Sequence, residues 1–337
     1  MNARHPHLRN LIALRVGPIA RGFLFAAACC AASPQAYAED ANEIVRFKSL
    51  TFPGTLFEPL APPPQTGEPV TITGFLRLPP GEGQVPAIVL LHGCGGISGS
   101  DLFWARELRD RGIATFLVNS FSARGISQIC TGRYTINMGS VLADAYGALR
   151  QLAQVPRIDI GRVAIMGFSF GGRTALWTAY PNFRELYGQH GLQFAAHLGV
   201  YPAACFVELA DEAWIADAPI RIFHGTADDY TPVEACRKYV ARLRRAGKDA
   251  ALLEYAGAHH KFDNDTLPSH QALPDVLNAR DCAFIERRGK IVDSTGRTAG
   301  AHSPCYGRGA SIGYNADARR QAITDVHAFL RARFGSP

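Results

Sequence analysis

The sequence predicts an α/β fold with a mainly parallel central sheet and helices on both of its faces. Two runs, 87–91 and 163–166, are continuously apolar, as expected of strands that are buried on both faces. Stretches with helical spacing of apolar residues, such as 141–152, alternate with runs of this kind. This alternation is typical of a parallel sheet covered on both sides.

Residues 1–38 have the pattern of a secretory signal peptide. They contain four arginines and no acidic residue, then an apolar run at 23–32, and they end in Ala-Tyr-Ala at 36–38. The apolar run is too short for a permanent anchor, and no later stretch is long enough to cross a membrane. We therefore expect a secreted or periplasmic protein cleaved near Ala38. A lipid anchor on Cys29 or Cys30 is the alternative.

Removing this segment changes the charge of the protein. The whole chain has 35 Lys and Arg against 29 Asp and Glu, a net charge of +6, and loss of the four arginines leaves +2. A surface that is nearly neutral gives no reason to expect nucleic acid as a partner. The sequence gives no indication of an oligomeric state.

The remaining chain, 39–337, is expected to form one domain, whose elements can be predicted in order. The first two strands are rich in β-branched and apolar residues and are separated by a proline-rich turn at 61–64. Strands are expected at 44–52, 70–78, 87–91, 113–118, 163–166, 195–200, 220–223 and 251–255. Helices are expected at 101–111, 141–152, 172–179, 232–246 and 316–333.

The stretch at about 264–315 interrupts this alternation. It is long, rich in Gly, Pro and polar residues, and contains Cys282 and Cys305. Because it has little apolar core of its own, we expect these two cysteines to pair and to make it an ordered, disulfide-stapled insertion. The six cysteines after residue 38 are an even number, which favours disulfides in an exported protein. Cys94 with Cys130 and Cys205 with Cys236 are then the preferred remaining pairs.

Residues 167–171 read Gly-Phe-Ser-Phe-Gly and match the G-x-S-x-G pattern of a nucleophile elbow. An apolar strand runs directly into this segment, and a helix-compatible stretch follows it. Glycines are needed beside Ser169 because the turn is so tight that larger side chains would collide with the neighbouring strand and helix. The turn also places Ser169 at a helix N-terminus, where N–H groups favour a developing negative charge. An ordinary Gly-rich turn is the alternative interpretation.

A serine nucleophile needs a base and an acid that orients it, and the α/β-hydrolase fold orders them as Ser, Asp or Glu, then His. Asp228 and Asp229 follow the strand at 220–223, on the sheet edge that carries the elbow. His259 and His260 follow the strand that ends at Tyr255, from where a histidine reaches back to both partners. From the order alone, either residue of each pair is a candidate.

Three blocks resemble the motifs of the dienelactone hydrolase family. They are Gly-Phe-Ser-Phe-Gly-Gly at 167–172, His-Gly-Thr-Ala-Asp at 224–228 and Gly-Ala-His-His-Lys-Phe at 257–262, and the segments 73–79 and 91–96 are similar to that family too. The resemblance extends from about residue 70 to the C-terminus, except for the insertion. It implies an α/β-hydrolase fold.

The resemblance also implies roles for individual residues. It selects Asp228 as the acid and His260 as the base, and it implies an oxyanion hole made by the backbone N–H groups of Phe170 and Cys94. One feature departs from the family, because the enzymes that name it use a cysteine nucleophile on small lactones, whereas this chain has Ser169. The expected substrate is therefore a carboxylic ester more generally, either a small molecule or a polymer.

Other residues are weaker candidates for function. Arg124 follows a strand at the same sheet edge and could contact a substrate carboxylate, with a structural ion pair as the alternative. His92 is expected to position the oxyanion loop. Arg173 has no explanation at this stage. The cysteine spacings contain no C-x-x-C and the histidines lie in no H-E-x-x-H, so neither a metal site nor a cofactor is expected.

The sequence allows two alternatives to an ester hydrolase. A serine peptidase of the prolyl oligopeptidase type has a similar His-Gly-Thr-Ala-Asp-Asp segment at 224–229, but here no propeller-sized domain precedes the hydrolase part. A non-catalytic binding protein on a hydrolase scaffold is the other alternative, since a fold does not determine a function.

Overall fold

The computed structural model describes residues 43–132, 135–188, 191–210, 212–299 and 303–335. The expected signal peptide and its cleavage site lie outside these ranges. Within them, no helix is long and apolar enough to span a membrane.

Eight strands form one large sheet that confirms the predicted fold class. In chain order they are β1 (Glu43–Thr51), β2 (Glu68–Arg77), β3 (Val85–Leu91), β4 (Ala114–Asn119), β5 (Ile158–Phe168), β6 (His197–Val200), β8 (Ile220–Gly225) and β9 (Ala250–Tyr255), while β7 (Val207–Glu208) lies outside this sheet. Across the sheet the order is β1-β2-β4-β3-β5-β6-β8-β9. The β1–β2 and β2–β4 pairs are antiparallel and all others are parallel. The carboxyl ends of β3, β5, β8 and β9 therefore meet at one edge.

Six α-helices accompany these strands in the described part of the chain. They are α1 (Gly99–Arg109), α2 (Met138–Leu152), α3 (Phe170–Trp177), α4 (Pro181–Tyr187), α5 (Val233–Arg245) and α6 (Ala316–Phe334). Side-chain caps fix where two of them begin. Asn137 accepts a hydrogen bond from the N–H of Gly139 at the start of α2, and Asn315 accepts one from Ala318 at the start of α6. The sequence analysis did not predict α4.

The helices cover both faces of the sheet, and the sheet separates the core into two halves. Strand β3 shows the division directly, because Ala87, Val89 and Leu91 pack into one half whereas Ile88 and Leu90 pack into the other. Helices α2, α3 and α5 contribute to the first half. Helices α1 and α6 contribute to the second. A strand buried on both faces has no polar side, which explains the continuous apolar run in the sequence.

The stretch 264–315 is ordered and contains four short strands. β10 (Gln271–Asn278) pairs antiparallel with β13 (Gly307–Ile312). β11 (Phe284–Arg287) pairs antiparallel with β12 (Lys290–Val292) and parallel with β7, outside the stretch. The insertion, as we call residues 264–315, is thus built from two small sheets that the sequence pattern did not reveal.

Three disulfide bonds join the six cysteines after residue 38, and each predicted pairing is confirmed. Cys282 bonds to Cys305 across 23 positions of the insertion. Cys94 bonds to Cys130, and Cys205 bonds to Cys236 in α5. Three disulfides are consistent with an extracellular or periplasmic protein.

Candidate active site

Ser169 lies in a sharp turn between β5 and α3. Its backbone has φ 53° and ψ −110°, a combination that L-residues rarely adopt. A Cβ atom added to Gly167 would lie 2.1 Å from the carbonyl oxygen of Gly171, and one added to Gly171 would lie 2.2 Å from that of Leu91. Both positions therefore exclude any side chain, which is the physical reason for the glycines of the motif.

The structure brings Asp228 and His260 together at the edge that carries Ser169. Asp228 follows β8 and His260 follows β9, and the Nδ1 of His260 lies 2.7 Å from Oδ2 of Asp228. Asp228 is 4% exposed and His260 is 2% exposed. Because Nδ1 donates to the carboxylate, the lone pair of Nε2 is left to accept a proton.

The Asp228 carboxylate is held by its own loop as well as by His260. Its Oδ1 accepts hydrogen bonds from the backbone N–H groups of Tyr230 and Thr231, at 2.9 and 2.8 Å, and the Thr231 hydroxyl donates to Oδ2. Burial acts to raise the pKa of Asp228, but the charge and hydrogen bond of His260, with smaller contributions from His224 and the Thr231 N–H, lower it overall. The carboxylate is thus kept ionised and fixed in orientation.

The imidazole of His260 lies between two tyrosines. Its ring centroid is 4.6 Å from that of Tyr201 and 4.9 Å from that of Tyr230. Tyr201, directly after β6, has φ 38°, and its hydroxyl donates to the buried carboxylate of Asp263 at 2.7 Å. The Trp104 indole donates to the same carboxylate at 2.8 Å. These hydrogen bonds hold the Tyr201 ring in place against His260.

Asp229 and His259, the sequence neighbours of the pair, have different contacts. Asp229 Oδ1 accepts hydrogen bonds from the N–H and hydroxyl of Ser311 in β13, at 2.7 and 2.9 Å. The Nδ1 of His259 lies 3.1 Å from the same hydroxyl. Both residues therefore contact the insertion.

The predicted oxyanion loop packs directly against the elbow. A Cβ atom added to Gly93 would lie 3.7 Å from the Cβ of Ser169. His92 is buried, its Nδ1 donates to the Gly93 carbonyl at 2.9 Å, and its Nε2 accepts the Ser120 N–H at 3.3 Å. Burial lowers the pKa of His92, so the ring is held neutral. These contacts join the Gly93 backbone to the segment that follows β4.

A cavity of about 60 Å³ opens beside Ser169. Its lining includes Phe170 and Cys94, the two residues expected to form the oxyanion hole, and Tyr230 and Thr231 next to His260. The cavity is thus lined by the candidate nucleophile, by the candidate oxyanion hole and by two residues of the loop that holds Asp228. Thr231 and Tyr201 were not singled out from the sequence, although Thr231 stands three positions after Asp228, a spacing typical of a capped turn.

Arg124 has a structural role and is not a substrate contact. Its guanidinium forms a two-point ion pair with the buried Asp144, at 2.8 Å for both hydrogen bonds. The remaining N–H groups donate to Thr51 Oγ1 and to the backbone carbonyls of Ser120 and Leu50. All five donors of the side chain are used, so none is left for a substrate carboxylate. The ion pair that the sequence offered as the alternative is the correct interpretation.

Arg173, unexplained from the sequence, secures the loop that follows β6 to the elbow. Its Nε donates to the Ala203 carbonyl at 2.6 Å. In turn, the N–H groups of Ala203 and Arg173 both donate to the Ser169 carbonyl, at 3.0 and 3.1 Å. The guanidinium also lies over the ring of Phe57, 4.9 Å from its centroid. Arg173 therefore stabilises the backbone on which Ser169 is presented.

The described residues contain no group of three or more His, Cys, Asp or Glu side chains arranged to hold a metal ion.

Comparison with known sequences gives one family and several esterases. The model of the dienelactone hydrolase family matches residues 72–334. The esterase FrsA of Klebsiella pneumoniae subsp. pneumoniae is 31% identical over 194 residues, which cover 53% of this chain and 40% of that protein. FrsA of Escherichia coli O1:K1 is 31% identical over 188 residues, with the same coverage. The matched region thus spans about two fifths of these relatives.

Comparison with solved structures supports the fold. The dienelactone hydrolase-like promiscuous phosphotriesterase P91, from metagenomic libraries, has a TM-score of 0.54 and 20% identity, covering 87% of this chain and 99% of that one. A butyrate-bound esterase of Thermogutta terrifontis has a TM-score of 0.51 and 17% identity, covering 79% and 90%. At these identities the likeness establishes the fold alone.

Proposed function

The chain belongs to the dienelactone hydrolase family, and from this premise we propose that it is a serine hydrolase that cleaves carboxylic esters. The observation that carries the proposal is the 2.7 Å contact between His260 and Asp228 beside the cavity that Ser169 lines. A strained serine, a histidine whose Nδ1 contacts a carboxylate and that buried carboxylate are the three groups that acyl transfer to serine requires. Relatives that are named esterases support the same reaction class.

In the proposed mechanism, Nε2 of His260 removes the Ser169 proton while Oγ attacks the ester carbonyl carbon. The N–H groups of Phe170 and Cys94 stabilise the resulting oxyanion, and Asp228 stabilises the imidazolium. Collapse of the tetrahedral intermediate breaks the bond to the alcohol oxygen, which takes the proton from His260. A water molecule then gives one proton to His260 while its oxygen attacks the acyl-enzyme carbonyl carbon. Collapse of this second intermediate breaks the bond to Ser169 Oγ, which takes the proton back from His260, and the carboxylic acid is released.

We also propose that the protein acts outside the cytoplasm, after cleavage of residues 1–38. The three disulfide bonds support this location, because bonds of this kind persist in oxidising compartments. N-terminal sequencing of protein recovered from the periplasm or medium tests the proposal. A first residue at Glu39 agrees with it, and an intact N-terminus in the cytoplasm contradicts it.

The test of the activity is covalent labelling together with ester turnover. A fluorophosphonate probe should label Ser169 of the wild type, and Ser169→Ala should abolish labelling and lower kcat for p-nitrophenyl acetate by roughly 10⁶. Ser311→Ala is the matched control, because Ser311 also contacts a histidine and an aspartate but lies in the insertion. It should leave the labelling of Ser169 intact.

Two outcomes would overturn the proposal. Turnover like that of the wild type in folded Ser169→Ala would exclude Ser169 as nucleophile. Labelling of Ser169 together with hydrolysis of a peptide, and no hydrolysis of esters, would replace the esterase with a serine peptidase.

A further inference from the structure

The cavity beside Ser169 is small for an ester-binding site. A cavity needs about 10–15 Å³ of accessible volume to hold one water molecule, so its volume of about 60 Å³ has room for only a few. Pockets for drug-sized ligands are several times larger, at about 300–1,000 Å³. An acetyl or propionyl group fits within this space, whereas a long alkyl chain would have to extend beyond it or displace its lining.

The position of the cavity identifies which part of an ester it holds. Its lining includes Ser169 and both expected oxyanion donors, Phe170 and Cys94. An acyl group attached to Ser169, with its carbonyl oxygen at those donors, stays in this space until water releases it. The alcohol leaves in the first half of the reaction, so its size is less restricted.

The insertion forms one wall of the cavity. Leu277 and Ala279, at and just after the end of β10, contribute to the lining opposite the elbow. The Leu277 N–H donates to the Cys130 carbonyl at 3.0 Å, and Cys130 is bonded to Cys94. The Leu277 side chain also packs over Gly132, where an added Cβ would lie 3.4 Å from Cδ2. The wall is therefore tied to the oxyanion loop by a covalent bond and a hydrogen bond.

A wall fixed in this way resists expansion by a longer acyl chain. The Ile129 N–H donates to the Cys94 carbonyl at 2.8 Å, which adds a second connection between the two cysteine-bearing loops. Closely packed side chains have little free volume into which they can move, so an oversized group is accommodated only by displacing the wall.

We propose that this protein is selective for esters of short acyl groups and that Leu277 of the insertion sets the upper limit. This inference rests on the proposed esterase function. It assigns the insertion a role in specificity, while the elements of the sheet supply the reacting groups.

The experiment compares acyl chain lengths in the wild type and two variants. The p-nitrophenyl esters of acetate, butyrate and octanoate share one leaving group, so differences in kcat/KM report on the acyl side. For the wild type, kcat/KM for octanoate should be at least about 100-fold below that for acetate, since one methylene in a restrictive pocket is worth about tenfold or more. Leu277→Ala should raise kcat/KM for octanoate at least tenfold relative to acetate.

Leu273→Ala is the matched control, because Leu273 lies on the same strand but does not line the cavity. It should keep the wild-type ratio of octanoate to acetate. Leu277→Val gives a milder change and should fall between the wild type and Leu277→Ala if the latter variant is unstable.

The outcomes separate this inference from the proposed function. If the wild type hydrolyses octanoate as well as acetate, the size limit is wrong while the esterase stands. If Leu277→Ala and Leu273→Ala give the same ratio, the limit is not set by Leu277. If no ester is hydrolysed and the fluorophosphonate does not label Ser169, the proposed function itself has failed.

Discussion

Two adjacent pairs of identical residue types perform different tasks at one edge of the sheet. Asp228 and His260 contact each other at 2.7 Å, and both are buried. Asp229 and His259, each one position away, contact Ser311 of the insertion instead. Successive residues of an extended segment point in opposite directions, so one loop edge has an inner side toward Ser169 and an outer side toward β13.

This difference shows that the residue type alone does not determine the role of a side chain in these loops. The direction in which the side chain points decides it. The inner pair is arranged for proton transfer. The outer pair holds Ser311, which lies 82 positions after Asp229 and 52 after His259. The N–H of Gly313 donates in addition to the backbone carbonyl of His260 at 3.0 Å. The insertion is therefore attached through the backbone and neighbours of the proposed base.

Replacing each histidine in turn is the strongest test of whether the inner and outer residues have different roles. His260→Ala should lower kcat for p-nitrophenyl acetate by roughly 10⁶, because it removes the group that accepts the serine proton. His259→Ala should cost less than about tenfold, because the ring contacts Ser311 and not the reacting atoms. The measurement is kcat for both purified variants, with folding checked by circular dichroism. Equal losses in two folded variants would make the assignment of the base wrong.

The aspartates give the next largest expected difference. Asp228→Asn should lower kcat by up to roughly 10⁴, because an amide favours the wrong tautomer of His260 and stabilises the imidazolium poorly. Asp229→Asn should leave kcat within about tenfold and instead lower the urea midpoint, since Asp229 accepts two hydrogen bonds from Ser311. A larger loss of kcat in Asp229→Asn than in Asp228→Asn would show that the assignment of Asp228 as the acid is wrong.

Removal of the Cys282–Cys305 bond tests how much the stability of the insertion depends on this disulfide. The double variant Cys282→Ala and Cys305→Ala should lower the free energy of unfolding by about 3 kcal/mol, because the bond closes a loop of 23 positions. Hydrogen exchange should increase first in β11 and β12, with the central sheet still protected. Urea unfolding and exchange measure the two effects, and uniform exchange across the sheet and the insertion would show one cooperative unit.

Acid pH should reveal a third kind of histidine, His197, which is buried at the start of β6. Burial lowers the pKa of His197 to about 4, and its Nε2 has no hydrogen-bond partner among the described residues. An unfolded histidine titrates near about 6.5, so between about pH 6.5 and 4 the unfolded chain binds more protons than the folded one. Stability should therefore fall as the pH is lowered through this window, by about 3 kcal/mol from His197 alone.

The check is urea unfolding at intervals from pH 7 to pH 4. His197→Asn should show a shallower loss of stability than the wild type, because asparagine does not titrate. His92 and His224, whose pKa values are also lowered by burial, should keep part of the slope in that variant. Identical slopes in the two proteins would contradict the assignment.

Much of the fold was predictable because its signals are local. The run at 87–91 indicates a strand buried on both faces, and the five residues around Ser169 contain the steric requirement of the elbow. The residues around His259 and His260 do not indicate which of the two is the base. The choice of His260 came from the resemblance to a family, because the sequence pattern itself allowed either residue.

Features that depend on long-range contacts were missed. The pairing of His260 with Ile312 in β13 and the hydrogen bond from Tyr201 to Asp263 join segments about 50 to 60 positions apart. The sequence does not indicate the φ of 38° at Tyr201, because this position itself is not a glycine. Helix α4 did carry a signal, because Pro181 is its first residue, a position that favours proline.

The glycines of the elbow limit which positions can be varied in directed evolution of this protein. At Gly167 and Gly171 an added Cβ would lie within 2.2 Å of a backbone carbonyl oxygen, whereas at Gly83 it would meet nothing within 4 Å. In a library that samples all amino acids and is selected for ester hydrolysis, the first two sites should remain glycine. Diversity that aims at new substrates is better directed to the insertion, where the wall can change without disturbing the turn.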